Sequence, residues 1–589
     1  MASEGTIRFA DNAWKIEAKS HVLYRAERAL LNAKREDGSV LVPATPEGSR
    51  DVFWFSRRFN IQVLDAPKLR SETAKYVIAQ SQAEKILAGN FKVSESGFRQ
   101  GKFPRQYQTQ GAKLFQTVGG LLIADQLGLG KTVTGGMALI DPKLRPAIIV
   151  SPTHLSDQWQ DKVHEFFMGM RTHIIKQQSY YDLPKYRLCG DCQLWSMQSM
   201  KNGVVRPVGT CRKCQHTLSG EVTDADIIMI SYNKLHFWVD VLGQIAKSVI
   251  YDECHELRRS DSKKYAAAKR LSDMVDYRLG LSATPVANLG GEIYNIIDCL
   301  RPGMLGNKGD FRRTWCDSCG APGKEPALTD PAAFGDYLRA EHLMIRRTRE
   351  EVGRELPEHT RIVQKIEHDL IEVDKVRGKA GDLARLILSK TTSSTDRLNA
   401  SGQLESLIRQ QAAIAKAPYV AAFVEMLLEQ GIPTILFGYH RAFYEIVTSK
   451  LREYNPLMYT GSESPERKKE MKDRFIVGDS NLLIVSLRSG AGLDGLQARG
   501  ATGVFGELDW SPAIHSQCEG RYHRDGQTMP CMSYYLVADY GLDPVMTQVL
   551  GVKRAQSSAL LQAHGDGEIS KQSAKYVQEL AMKYLHGQA

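Results

Sequence analysis

One segment constrains the fold more than any other: residues 124–132, ADQLGLGKT. The apolar run GGLLIAD at 119–125 reads as a buried strand, and a glycine-bearing turn and a helix follow it. Gly128 and Gly130 would let backbone N–H groups close around phosphate oxygens. Lys131 would then reach the β/γ-phosphates and Thr132 would hold Mg²⁺. The helix start adds its positive dipole end. The strict pattern G-x-x-x-x-G-K-[ST] has glycine where this chain has Asp125. Taken alone, the segment is also compatible with a glycine-rich turn carrying a surface lysine.

A second segment bears on that choice. SVIYDECHEL, beginning at residue 248, ends a buried strand in Asp252-Glu253. A nucleoside triphosphatase needs one carboxylate for Mg²⁺ and another to orient or deprotonate the attacking water. Acid pairs are common in loops. A phosphate loop followed about 120 residues later by such a pair is the order an NTPase requires.

The surrounding texture agrees. AIIVSP (147–152), IIMIS (227–231) and YRLGLSATP (277–285) read as strands buried on both faces, as in a parallel sheet. So do TILFGY (434–439), LLIVSL (482–487) and TGVFGEL (502–508). The expected class is α/β. It comprises two doubly wound parallel-sheet lobes, a helical linker region, a cysteine-bearing insertion and a small α+β N-terminal domain. The expected boundaries are 1–96, 97–300 with its insertion at 185–218, 301–430, 431–550 and a helical tail at 551–589. Strands are expected at 39–43, 51–55 and 60–64, and a helix at 73–87. In the linker region the polar stretch 390–402 is expected to interrupt the helices.

The formal charge is +10, which suits a polyanionic partner. No run approaches the roughly 18 apolar residues of a membrane span. The first residues carry no apolar signal core, so secretion is not expected.

Six of the 10 cysteines form three C-x-x-C pairs. Cys189/Cys192 and Cys211/Cys214 have the spacing of a four-thiolate zinc ribbon, which predicts structural Zn²⁺. Residues 185–218 hold six basic residues against Asp191 alone. Arg212 and Lys213 among them are candidates for phosphate contact, with a solvated or protein-docking decoration as the other reading. Cys316/Cys319 is half a metal site with no partner pair nearby.

Taken in order, the motifs resemble those of superfamily 2 helicases, and within them the Swi/Snf-like DNA translocases. YQTQG (107–111) is similar to the adenine-recognition motif, with Gln108 at its key position. ADQLGLGKT, SPTHLSDQW (151–159), DECH (252–255) and LSATP (281–285) are similar to motifs I, Ia, II and III. MIRRTREEV (344–352) looks like the segment closing the first lobe. SLRSGAGLDGLQ (486–497), LDWSP (508–512) and QCEGRYHRDGQ (517–527) resemble the motifs of the second lobe. Gln126 stands where the family usually has an acid, and Cys254 where alanine is commoner.

The resemblance implies two RecA-like lobes sharing one ATP, with Gln517 at the nucleotide and Arg521 and Arg524 completing the site from the second lobe. Guanidinium groups there would stabilise charge spread over the γ-phosphate oxygens. It implies coupling roles for Ser282, Thr284, His255 and Trp510. DNA contacts would fall to Ser151, Thr153, Ser231, Tyr232, Ser489 and Gly490. The implied partner is duplex, forked or branched DNA rather than RNA, engaged by a monomer away from membranes. A compact bacterial or phage enzyme in the cytoplasm is expected, or a nuclear one if the source is eukaryotic. A strand-separating helicase and an ATP-driven clamp that does not step are the competing readings.

Overall fold

A computed structural model describes residues 3–546, apart from 94–95, 190–194, 199, 202–203, 206–213, 215–221, 284, 286–289, 317–325, 355, 376, 389–393, 489–492, 540–541 and 545. The chain divides into two compact units. The first comprises Met1–Asp125 and Gly130–Arg347; the second comprises Gln126–Leu129 and Thr348–Ala589.

The first unit opens with a five-stranded sheet in the order Lys34–Glu36, Ser39–Pro43, Ala13–Ala18, Gly5–Ala10, Gln62–Val63. Its pairs are antiparallel except the last. Ile7, Trp14, Ile16, Val40 and Val42 fill its core with Val52 and Phe55. Residues 51–55, expected as a strand, belong instead to the helix Pro46–Arg58. The VFWF run suggested a strand, but the start signal lies upstream. Thr45 caps the helix by accepting from the Gly48 N–H, and Pro46 occupies the first turn. Gly48, Ser49, Val52, Phe55 and Ser56 are its buried residues, which is helical spacing. The Arg301–Glu47 ion pair, at 2.5 Å, and an Asn32–Gly303 hydrogen bond tie this sheet to the rest of the unit.

The main sheet of the first unit has seven strands, all paired in parallel. Their order is Met344–Ile345, Gly120–Ile123, Tyr277–Leu281, Ser248–Asp252, Ala147–Ser151, Ile227–Ser231, Thr172–Ile174. The five long apolar runs read from the sequence in this region are all strands of it. Helices cover it, so the strands are buried on both faces and read as continuous apolar stretches.

The second unit has a six-stranded sheet, also wholly parallel: His359–Ile366, Cys531–Ala538, Thr502–Phe505, Thr434–Gly438, Leu482–Ser486, Leu457–Tyr459. The fold is thus α/β, with two wholly parallel sheets, one in each unit. The segment 301–430 contributes more than helices, because Met344–Ile345 joins the first sheet and His359–Ile366 the second.

The helix Ser394–Glu429 runs through most of the polar stretch expected to interrupt it, with Asp396 in its first turn and Pro418 inside it. Its part Asn399–Glu429 is long and apolar enough to cross a membrane by length and composition. Here Ala413, Ala417, Val420, Ala421 and Val424 pack into the core beside Leu436 and Val504. Lys416 on this helix is buried and ion-pairs Asp543 at 2.5 Å, with the Leu536 carbonyl accepting a second hydrogen bond at 3.1 Å. A buried ammonium persists only with such partners. The tail 551–589 lies outside the described residues.

Candidate nucleotide site

Parallel register brings the expected residues to one edge of the first sheet. Ile123 is level with Leu281, and Leu281 with Asp252; Ser151 is level with Ser231. The loops that leave this carboxyl edge carry the candidate residues, where doubly wound sheets generally place their ligand sites.

The candidate phosphate loop follows Gly120–Ile123. Gly128 and Gly130 adopt φ of +88° and +72°, where a side chain is strained. A Cβ on Gly130 would also lie 2.8 Å from the Gln108 amide nitrogen, so Gln108 is packed directly against the loop. Gln108 is buried, and its carbonyl accepts from the Arg105 N–H at 3.2 Å. Gly130 caps the helix Lys131–Ala138. The Lys131 ammonium donates to the Asp125 carbonyl at 2.7 Å. Burial lowers the lysine pKa, against the opposing charges of Glu253, Asp125 and Asp252. Thr132 is half-buried in the first turn of that helix.

Asp252 ends its strand buried. Its Oδ2 accepts from the Trp159 indole N–H at 2.7 Å, and its Oδ1 from the Glu253 N–H at 3.1 Å. Burial first, then the Glu253 charge, pushes its pKa up to about 7. Glu253 turns out of the strand at φ +50°, an uncommon conformation for a residue with a side chain. His255 lies 3.2 Å from the Glu253 carboxylate and 3.3 Å from the Ser282 hydroxyl. Burial opposes the imidazolium, but the hydrogen bond and charge of Glu253 outweigh it and raise the His255 pKa. Three of the expected residues therefore form one chain: Glu253, His255, Ser282. Thr284 lies outside the described residues.

Ser151, Ser231 and Tyr232, expected at a DNA strand, are buried. The Ser151 hydroxyl faces Ser156 at 3.2 Å, and the Tyr232 hydroxyl donates to the Asp252 carbonyl at 2.9 Å. Ser231 Oγ has no hydrogen-bond partner among the described residues. Thr153 is exposed. A cleft of about 520 Å³ beside these strand ends is lined by His236, Arg258, Arg259, Lys263 and Lys264, with Glu256 among them.

In the second unit, the helix Pro512–Glu519 carries a half-buried Gln517 and leads into Arg521 and Arg524. Arg521 donates to the Leu493 carbonyl at 3.4 Å, and Arg524 pairs with Asp494 at 3.1 Å. Glu519 anchors this segment. It accepts two hydrogen bonds from Arg361, at 2.7 and 2.8 Å, and one from Tyr535 at 2.8 Å. Burial pushes its carboxyl up, but Arg361 outweighs that and holds the pKa below the ordinary glutamate value. The Trp510 indole donates to Glu405 at 2.5 Å. Ser489 and Gly490 lie outside the described residues.

Cys189 and Cys214 bring their sulfurs within 3.4 Å of each other, Cys189 buried, with no disulfide between them. Cys192, Cys211, Arg212, Lys213 and Cys319 lie outside the described residues. Among those described, no group of three or more His, Cys, Asp or Glu side chains is gathered as metal ligands.

Several residues at the nucleotide site were not singled out from the sequence. Trp159 could have been found only by knowing that its helix crosses the end of the Asp252 strand. Arg346, Arg347 and Arg349 stand in a run read as a lobe boundary. Within the first unit, Arg347 makes a buried two-pronged ion pair with Asp125, at 3.0 and 2.5 Å. Within the second, Arg349 donates to the Leu127 carbonyl at 2.9 and 2.6 Å, and its N–H to the Gln126 side chain at 2.8 Å. Gln126, standing where an acid is usual, thus accepts from backbone.

A family model described as SNF2-related domain matches residues 31–409. RAD54-like DNA repair and recombination proteins of Drosophila persimilis and Drosophila erecta are each 24% identical, over 508 and 505 residues. Each alignment covers 76% of this chain and 61% of the relative, so the chain spans about three fifths of the length of these curated relatives. The Sulfolobus solfataricus SWI2/SNF2 ATPase core in complex with dsDNA is 18% identical over 84% of this chain and 98% of that one, with a TM-score of 0.35. The family match covers well over half of the 589 residues, and the chain belongs to the SNF2-related family.

Proposed function

We propose that the chain is an ATPase of Swi/Snf-like type that couples hydrolysis to movement along DNA. The observation that carries this reading is the meeting of Lys131, Asp252 and Glu253 at one edge of a wholly parallel sheet. The glycine turn and Lys131 would hold the triphosphate, with Gln108 beside the loop. Thr132 and Asp252 would hold Mg²⁺, which supplies charge neutralisation between the phosphates. Glu253, oriented by His255, would accept the proton of the attacking water. Gln517, Arg521 and Arg524 are proposed to complete the site from the second lobe. Ser282, Thr284 and Trp510 are proposed to relay its state.

Duplex DNA is the proposed track, supported by family membership and by relatives named for DNA repair and recombination. The cationic cleft beside the strand ends suits phosphate oxygens, which position a nucleic acid without reading its sequence. Thr153, Ser489, Gly490, Arg212 and Lys213 remain proposed contacts. The relatives reported are from Drosophila, and none of them supports a bacterial or phage setting. The test is steady-state ATP hydrolysis with duplex DNA, single-stranded DNA and RNA, together with triplex displacement. Duplex-stimulated turnover with displacement is expected. Turnover that ignores DNA, or fork opening without displacement, would remove translocation on duplex.

We also propose that Cys189, Cys192, Cys211 and Cys214 hold a structural Zn²⁺. Two thiolates on one tetrahedral zinc, each about 2.3 Å from it, lie about 3.8 Å apart, whereas a disulfide joins sulfurs at about 2.05 Å. The observed 3.4 Å is close to the first value and far from the second. One zinc per chain is expected on titration with a mercurial, and none in Cys214→Ser. Metal-free native protein would end this assignment.

A further inference from the structure

The parallel pairing between Gly120–Ile123 and Met344–Ile345 does not stop where the strands end. Met344 is level with Leu122, and Ile345 with Ile123. The next residues continue the same register through side chains. The Arg346 guanidinium donates to the Ala124 carbonyl at 3.0 Å. Arg347 takes Asp125 by three hydrogen bonds: its backbone N–H at 3.1 Å, Nε at 3.0 Å and Nη2 at 2.5 Å. In the second unit Arg349 holds the Gln126 side chain and the Leu127 carbonyl. The offset of 222 positions thus holds at residues 122 to 125 and again at 127, while Gln126 is reached by Arg349 at an offset of 223.

We infer that residues 344–349 are a template for the phosphate loop, and that Asp125 and Gln126 are positioning residues through which Arg347 and Arg349 set the loop for the triphosphate. The inference rests on the ATP reading above and deepens it. A phosphate cradle works only if its N–H groups already point inward, and ordering a slack loop on binding weakens affinity. Glycines at 128 and 130 make the turn possible but leave it free to move. The restraint comes from upstream, where residues 124–127 are each held by an arginine of the template. Arg347 is itself fixed, because it also donates to the Tyr107 carbonyl and, at 3.3 Å, to Gln110. Both lie on the helix that carries Gln108. Gly111 on that helix leaves room for it, since a Cβ there would lie 3.0 Å from Nη2. Asp125 is fully buried and Arg347 nearly so, and a buried charge pair of this geometry specifies one arrangement. The aspartate that departs from the strict phosphate-loop pattern is therefore the loop's anchor.

The experiment uses the full chain and compares Asp125→Gly, Asp125→Asn and Gln126→Ala by thermal melting without nucleotide, by binding of a fluorescent ATP analogue and by steady-state kinetics. Asp125→Gly restores the strict pattern, yet is expected to raise the KM for ATP and the analogue Kd about tenfold with kcat within about twofold. Asp125→Asn, which keeps one acceptor for Arg347, is expected to fall between, and Gln126→Ala to raise KM about threefold with an unchanged melting temperature. If Asp125→Gly does not fold, Gln126→Ala decides. Native KM in well-folded variants overturns the inference. So does a fall in kcat and melting temperature together without a change in KM. If the native protein binds no nucleotide, the ATP reading falls first, and the native protein alone reveals it.

Discussion

Lys131→Ala is expected to lower ATP turnover by about 10²–10³-fold while leaving duplex-DNA binding intact. The ammonium sits in the candidate phosphate loop, where the charges of Glu253, Asp125 and Asp252 act on it. Its charge is desolvated there, so its interaction with developing negative charge on phosphate is stronger than in water. Alanine leaves the helix Lys131–Ala138 intact, because Gly130 and not the lysine sets its start. A filter-binding measurement on the same preparation separates lost catalysis from lost folding. Unimpaired hydrolysis would falsify the phosphate-loop assignment.

The second large effect is expected at Glu253. Replacement by glutamine keeps the shape and the contact with His255 but removes the carboxylate proposed to take a proton from water. Turnover should fall by about 10²–10⁴-fold. ATP affinity should persist, so the variant should hold nucleotide without hydrolysing it. The charge of Glu253 is also one of the causes that raise the Asp252 pKa, because two carboxylates side by side resist ionising together. Removing one relieves that repulsion. Thermal stability is therefore expected to hold or rise while activity collapses, an outcome that damage to the fold would not give. Rapid-quench single turnovers alongside melting curves check both parts; near-native hydrolysis would return Glu253 to a structural role.

Eight of the nine interior strands, all but Cys531–Ala538, were legible because strands buried on both faces must be apolar at consecutive positions, and no other element of that length needs this. The outer strands were not. His359–Ile366 is mostly exposed and reads as polar, while Thr172–Ile174 and Met344–Ile345 are too short to carry a pattern. The helix Pro46–Arg58 was missed because VFWF has the composition of a strand, and its cap lies outside the apolar run. At the site, residues whose chemistry is local to one motif were legible: the glycine turn, Lys131, and the acid pair. Those whose role depends on a partner over 200 positions away were not. Asp125 looked like a blemish in a phosphate loop because its meaning lies in Arg347, 222 residues on. Ser151 and Tyr232 illustrate the converse. Small polar residues at strand ends are also what caps and internal hydrogen bonds use, and burial rather than sequence separates the two.

The one-for-one matching of residues 344–347 with 122–125 makes chain length itself a constraint. A single inserted or deleted residue in either stretch would bring Arg346 opposite the aspartate, or Arg347 opposite a carbonyl, and every rung would miss together. Descendants of this chain are free to lengthen many of their surface connections. Here they must change by substitution alone, because the spacing carries the information.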